Sequence, residues 1–280
     1  MVRFGLLGEK LGHSLSPKIH NLIFQELDIE GDYSLLEVER EKLPFFLAQA
    51  KDDLDGINVT IPYKTAVISY LDGLTKEAAS IGAVNTVSFQ NGETKGYNTD
   101  YYGFGFLLSH NGIEVKNKKI AVLGAGGAAR AVLQYLSDTG AGDILVVSRN
   151  PQQAATDLLA MQVTAPLQFC DYVTFAGQSG DVLINCTPVG MFPNVKASPV
   201  AREVVAKFAA AVDLIYNPVE TVFLRYAREE GKKAANGLLM LVAQAVAAEE
   251  IWLKRKIEDK IIVKKEKKIN ARKYTTLKNV

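Results

Sequence analysis

The first apolar run of the chain, Phe4 to Leu7, ends in Gly8 and gives way to a polar loop through Pro17. Ile19, Leu22, Ile23 and Leu27 then recur at helical spacing, so the opening reads as strand, loop, helix. Tyr33 to Val38 is a second strand candidate, and residues 43–50 are predicted as a helix with Pro44 in its first turn. From Gly56 to Ile61 the pattern alternates, with Ile57, Val59 and Ile61 on one side and Asn58 and Thr60 on the other. Past Asp100 a strand at Lys119 to Leu123, a glycine turn, a helix and a strand at Ile144 to Val147 make one βαβ unit. Val182 to Asn185 and Val212 to Ile215 continue as short, buried, parallel strands. Strands alternating with helices predict an α/β fold with a mostly parallel sheet.

The length of 280 residues suggests about two domains. We place the boundary near residues 101–103, where Tyr101, Tyr102 and Gly103 follow a polar turn, and expect a site in a cleft between domains. With 48% apolar and 22% charged residues, disorder and fibrous architectures are excluded. Net charge is +1, which supplies no argument for a nucleic-acid or membrane partner. Charge is uneven, however: residues 254–280 carry eleven Lys/Arg against three Asp/Glu. Ile257 and Ile261, four apart, predict that the terminal helix continues and then frays into a solvated, lysine-rich end, the alternatives being a weak nucleic-acid or anionic-surface contact or a subunit contact. Cys170 and Cys186 have no CxxC partner and read as reduced cytoplasmic thiols. His13, His20 and His110 lack ligand spacing, so no bound metal is expected. The N-terminus shows no signal-peptide apolar region, and the stretch from Leu238 to Ala248 is too short to span a bilayer.

Gly124-Ala-Gly126-Gly127-Ala128-Ala129 follows a strand and opens a helix, matching the dinucleotide fingerprint G-x-G-x-x-G/A. Gly124 allows the tight turn, Gly126 admits the pyrophosphate close to the backbone, and Ala129 lets helix and strand pack closely. The free N–H groups of the helix N-terminus favour phosphate. The next strand ends Val147-Ser148-Arg149-Asn150, without the acid that usually holds the ribose 2′-OH of NAD. Arg149 suits a 2′-phosphate, so NADP is the expected cofactor.

A second set of polar residues gathers earlier in the chain. Lys64 comes directly after a strand and just before a predicted helix, at whose first turn the dipole disfavours an ammonium, which suits a lysine that gives and takes a proton. Asn58 and Thr60 share a strand face; Asn85 and Asp100 end polar turns; Ser14 and Ser16 precede a helix and could hold a carboxylate. Gln244 lies in a helix that is apolar nearly all round, where it needs hydrogen-bond partners.

Eight segments resemble, in order and spacing, the motif series of the shikimate dehydrogenase family. They are Gly12-His-Ser-Leu-Ser-Pro-Lys-Ile-His-Asn21, Asn58-Val-Thr-Ile-Pro-Tyr-Lys64, Ile81-Gly-Ala-Val-Asn-Thr86, Gly96-Tyr-Asn-Thr-Asp100, the glycine turn, Ile184-Asn-Cys-Thr-Pro-Val-Gly-Met191, Asp213-Leu-Ile-Tyr-Asn-Pro218 and Gly237-Leu-Leu-Met-Leu-Val-Ala-Gln-Ala245. The resemblance implies a substrate-binding domain over residues 1–102 completed by a C-terminal helix at 237–255, a Rossmann domain over 103–236, and a basic tail at 256–280. It implies reversible NADPH-dependent reduction of 3-dehydroshikimate to shikimate, a step of aromatic amino acid biosynthesis. Apart from the resemblance, a small-molecule substrate, no membrane or nucleic-acid partner, and a monomer or homodimer are expected. Carried over by position, Ser14 and Ser16 would bind the ring carboxylate with Tyr216 nearby. Asn58, Thr60, Asn85, Asp100 and Gln244 would hold the hydroxyls, and Lys64 with Asp100 would form the acid/base pair. Gly124, Gly126, Gly127, Ala128, Ala129, Ser148 and Arg149 would hold the nucleotide, with Thr187, Leu214 and Gly237 at the nicotinamide end. Two departures stand out. Ser148 to Gln153 lacks the family's second basic residue, so the 2′-phosphate grip rests on Arg149 alone, and the tail is longer and more basic than usual. The alternative reading is a quinate/shikimate dehydrogenase with relaxed NAD(P) use, against which the paired Ser14 and Ser16 count.

Overall fold

The computed structural model describes residues 1–12, 14–158, 161 and 163–277, with side chains to residue 271. His13 and the last three residues of the basic tail lie outside the described residues. The chain divides into two compact units, Met1–Tyr102 with Val242–Val280, and Gly103–Leu241.

The first unit holds a six-stranded sheet of β1 (Val2–Gly8), β2 (Gly31–Glu37), β3 (Gly56–Val59), β4 (Gly73–Leu74), β5 (Thr86–Gln90) and β6 (Glu93–Tyr97) in the order β2-β1-β3-β5-β6-β4. β1, β2 and β3 run parallel, whereas β5 is antiparallel to both β3 and β6. The β5–β6 hairpin, which the apolar pattern alone does not mark, turns at Asn91-Gly92, both at positive φ, as a two-residue hairpin loop requires. Helices α1 (Ser16–Leu27), α2 (Leu43–Asp53) and α3 (Lys76–Ile81) belong to this unit, and α4 (Thr99–His110) starts in it. α1 buries Ile19, Leu22 and Ile23, the positions whose spacing predicts it.

The second unit is an all-parallel sheet of β7 (Lys119–Leu123), β8 (Asp143–Val147), β9 (Leu167–Cys170), β10 (Gly180–Asn185), β11 (Phe208–Asp213) and β12 (Lys233–Asn236). Its order is β12-β11-β10-β7-β8-β9, so the chain winds outward from β7 to one edge and then from β10 to the other. That reversal is the dinucleotide-binding topology, with its switch point between β7 and β10. Helix α5 (Gly127–Asp138) follows β7; α6 (Pro151–Leu158), α7 (Tyr172–Phe175), α8 (Arg202–Val205) and α9 (Val222–Glu229) complete the unit. Leu214 and Ile215 lie past the end of β11 rather than within it.

α10 (Leu238–Leu253) is buried from Val242 to Ala248, and Trp252 near its end stacks on Phe4 at 4.3 Å and donates its indole N–H to the Val87 carbonyl at 3.0 Å.

Two expectations change. Ile61 does not share a buried face with Ile57 and Val59: β3 ends at Val59 and Ile61 is 73% exposed, because Pro62 removes the N–H needed to continue the ladder. The tail does not extend the terminal helix and fray. The chain breaks at Lys254, φ 50°, and folds back as a separate helix, α11 (Lys260–Leu277), beside α1. Ile261, Ile262 and Ile269 are buried there, and Lys264 and Lys265 both reach Glu26 of α1, at 2.6 and 2.8 Å.

The two ammonium groups hold the Glu26 carboxyl down at about 2, against an ordinary 4.5. A depressed carboxyl contributes stability in full above its unfolded value and loses it as the pH falls toward the folded one. Acidification below about 4.5 is therefore expected to lower the protection factors of amides 260–271, that is, to raise their exchange relative to the intrinsic rate at the same pH. Glu26→Gln should show fast exchange there already at neutral pH and no further rise from this source; equal exchange in both proteins at neutral pH would contradict the clamp.

Candidate functional site

In the first unit the polar residues converge at one end of the sheet. Lys64 Nζ donates to Asp100 Oδ2 at 2.6 Å, with the two side chains 16% and 12% exposed. Lys64 stands two residues before a short 3₁₀ turn, Ala66–Tyr70, rather than at the first turn of an α-helix, and what aims it is Asp100 in the first turn of α4. Asn85 is the hub of the surrounding network. Its Oδ1 accepts from the Thr99 N–H at 2.7 Å and the Thr86 hydroxyl at 3.1 Å, and its Nδ2 donates to Thr99 Oγ1 at 3.0 Å and Gln244 Oε1 at 3.4 Å. Fixing the Thr99 backbone fixes the start of α4, and with it Asp100.

Asn58, 4% exposed, accepts from the Tyr33 hydroxyl at 2.7 Å and donates to the Asn85 carbonyl at 3.2 Å and Thr86 Oγ1 at 3.0 Å. Its amide is thus engaged on both ends, as that of Asn85 is, and it lies directly behind Asn85. Tyr33 also takes a hydrogen bond from the Ser16 side chain; burial, and then the charge of Glu249, push its phenol well up. Ser14 Oγ accepts from the Ser16 N–H at 3.2 Å at the start of α1. Thr60 is half-buried, its backbone N–H on the Leu7 carbonyl at 2.9 Å. Ser14, Ser16, Asn58, Thr60, Lys64, Asn85, Asp100 and Gln244 all belong to this unit, whereas Tyr216 follows β11 in the other, half-buried with its phenol raised by burial.

In the second unit a cavity of about 550 Å³ is lined by Gly124, Gly126, Ser148, Arg149, Thr187 and Tyr172, among others. Gly124 has φ +96°, a conformation L side chains rarely adopt. Among the described residues, a Cβ at Gly126 or Gly127 would meet no atom within 4 Å, so neither glycine serves packing there; they leave space at the N-terminus of α5. Ala128 is half-buried and Ala129 fully buried in the first turn of that helix. Arg149 is exposed at the cavity rim and Ser148 accepts from the Asn150 N–H at 3.3 Å. A Cβ at Gly237 would come within 2.0 Å of the Leu214 carbonyl oxygen, so only glycine permits the approach of these two segments. The open glycine turn, the helix N-terminus and the rim arginine fit a phosphorylated dinucleotide.

Behind the cavity wall, Asp213 accepts from Asn185 Nδ2 at 3.0 Å, the Ile215 N–H at 3.0 Å and the Thr221 hydroxyl at 2.6 Å. Asn185 Oδ1 in turn accepts from the N–H and hydroxyl of Thr187, at 3.0 and 2.7 Å. Burial pushes the Asp213 carboxyl up to about 6 despite these donors, and burial followed by Asp213's charge raises the Cys186 thiol. Sequence reasoning missed Tyr33, Thr86, Thr99, Tyr172 and the Asp213–Asn185 link. Thr86 and Thr99 adjoin residues it did select, but only strand pairing brings Tyr33 to Asn58.

A parallel sheet of this order with a glycine turn at its switch point defines a dinucleotide-binding unit, here joined to an α/β unit bearing a shielded lysine–carboxylate pair. Residues 6–87 match the family model for the shikimate dehydrogenase substrate binding domain, and residues 107–204 that for shikimate / quinate 5-dehydrogenase. A protein of Clostridium beijerinckii named shikimate dehydrogenase (NADP(+)) is 46% identical over 259 residues, 92% of this chain and 94% of its own. A crystal structure of a chorismate mutase/shikimate 5-dehydrogenase fusion protein from Clostridium acetobutylicum superposes with a TM-score of 0.92 at 50% identity, covering 97% of this chain and 98% of that one. The structure of shikimate 5-dehydrogenase from Thermus thermophilus in complex with NADP(H) and shikimate gives a TM-score of 0.85 at 35% identity, covering 96% and 99%. The chain belongs to the shikimate dehydrogenase family. Among the described residues no helix is long and apolar enough to cross a membrane.

Asp213 gives this site a pH signature. A carboxyl raised from 3.8 to about 6 holds its proton more tightly when folded, so its contribution to stability grows as the pH falls through that window and is absent above it. Between pH 7 and pH 4.5, where the folded carboxyl takes up its proton while the unfolded one is still largely ionised, the gain is roughly 2 kcal/mol at about 1.4 kcal/mol per pH unit. Denaturant midpoints at pH 7 and pH 4.5 should show this gain in the wild type and lose it in Asp213→Asn; the same pH response in both would exclude Asp213 as its source.

Proposed function

We propose that the protein catalyses the reversible NADPH-dependent reduction of 3-dehydroshikimate to shikimate. The observation that carries this reading is the 2.6 Å Lys64–Asp100 contact, largely withdrawn from water and held by the Asn85–Thr99 bonds at one end of the first unit's sheet. NADPH, when bound, supplies the hydride that reduces the C3 carbonyl. As that carbon is reduced, negative charge develops on its oxygen, and Lys64 stabilises the charge and donates the proton that completes the hydroxyl. In the reverse direction the Lys64 amine takes that proton back. Asp100 aims the ammonium and accepts from the neighbouring substrate hydroxyl.

Ser14 and Ser16 hold the ring carboxylate, assisted by Tyr216, the Ser16 hydroxyl turning to the anion from its bond to Tyr33. Thr60, Asn85 and Gln244 hold the remaining hydroxyls, with Asn58 ordering them from behind. On the nucleotide side, Gly124 makes the turn, Gly126, Gly127 and Ala128 at the start of α5 receive the pyrophosphate, and buried Ala129 lets the helix pack close to the strand. Arg149 takes the 2′-phosphate, Ser148 helps to hold the nucleotide, and Thr187, Leu214 and Gly237 line the nicotinamide end. We place the enzyme in the cytoplasm, where NADPH is the common reductant and where unpaired Cys170 and Cys186 are stable.

Lys64→Ala is expected to lower kcat by about 10²- to 10⁴-fold, the usual worth of a positioned proton donor, and to leave NADP affinity unchanged in equilibrium titration. Loss of NADP binding together with turnover would mean that Lys64 is structural. Arg149→Ala should raise the NADPH KM about tenfold and leave the NADH KM within about twofold. Equal effects on both cofactors would remove the 2′-phosphate role.

A further inference from the structure

Behind the polar cluster of the first unit lies a second polar contact that the reaction does not use. His20 Nδ1 is 2.6 Å from Glu249 Oε1, and neither side chain is exposed. His20 sits on α1 one turn past Ser16; Glu249 sits on α10 five residues past Gln244. The His20 ring stacks on Tyr33 with centroids 3.9 Å apart and planes at 10°, and the Tyr33 hydroxyl bonds both Asn58 and Ser16. His20 Nε2 and Glu249 Oε2 are buried without a hydrogen-bond partner among the described residues.

Stability does not account for this pair. Dehydrating two such groups costs more than their attraction returns unless every polar atom is satisfied, and an apolar pair of similar volume is often as stable or more so. Here one atom on each partner is unsatisfied, which adds to the cost. What an apolar pair lacks is direction: a short hydrogen-bonded contact fixes one register of α1 against α10, whereas packed methyl groups tolerate slippage. The two helices so fixed carry Ser16 and Gln244, and the stacked Tyr33 carries the same constraint to Asn58.

We infer that His20 and Glu249 are positioning residues that set the spacing of Ser16, Asn58 and Gln244 for the substrate. The inference rests on reading those three residues as parts of the substrate site. It is tested with the double variant His20→Phe/Glu249→Leu, with Glu249→Gln, which can still accept from His20, and with Gln244→Ala as a control. The readouts are Tm, kcat, and the KM for shikimate and for NADP. The double variant is expected to fold with a Tm near that of the wild type, to keep its NADP KM, and to raise the shikimate KM about tenfold or more. Glu249→Gln should stay within about threefold of wild type. A wild-type shikimate KM in the double variant, an equal rise in both KM values, a Glu249→Gln no better than the double variant, or loss of the fold would each overturn the inference. Gln244→Ala separates the two levels of the reading. If it leaves the shikimate KM unchanged, the assignment of the substrate site fails; if it raises that KM while the double variant does not, only the positioning role fails.

Discussion

Polar groups taken out of water must find partners, and at one end of the first unit's sheet the partners are each other. Asn85, 2% exposed, ties Thr86, Thr99 and Gln244 together, and its hold on the Thr99 N–H sets where α4 begins. Asp100 follows at once, and Lys64 is aimed by Asp100. A lysine on an exposed turn would spend rotamer entropy to hold any such geometry. Here the entropy is lost in folding, and in the proposed reaction the ammonium would stand where an oxyanion forms.

The second unit meets a different constraint, that of backbone approach. Around β7 and β10 the chain leaves room rather than filling it: Gly126 and Gly127 face open space, and Gly237 accepts a carbonyl where no Cβ would fit. Asp213 and Asn185 then hold the Thr187 wall from behind through a chain of five hydrogen bonds. The buried carboxylate costs stability at neutral pH, and the ordering of the cavity wall is what it supports.

The extent to which the sequence discloses this depends on how local each feature is. The βαβ unit around Gly124 is legible because its strand, turn and helix are contiguous and each carries its own signal. Lys64, Asp100, Asn85 and Gln244 stand out because a polar residue in an apolar or turn context invites a reason. Tyr33, by contrast, reads as one more apolar strand residue; only the parallel pairing of β1 with β2 and β3 brings its hydroxyl to Asn58. The same holds for His20 and Glu249, 229 positions apart. In α11 the apolar stripe is diluted by lysines, so its charge suggests a solvated end, and the acid that pairs with two of those lysines lies on α1. Ile61 misleads for the opposite reason: alternation continues through it, but Pro62 ends the strand first.

The most direct test of the account is the initial rate of shikimate oxidation by the purified protein, measured in parallel with NADP and NAD and repeated with quinate. Robust turnover of shikimate with NADP, well above every other pairing, is the result the account predicts. Comparable rates with quinate or NAD would contradict the selectivity assigned to Ser14, Ser16 and Arg149, and no turnover with any pairing would contradict the catalytic reading of Lys64 and Asp100.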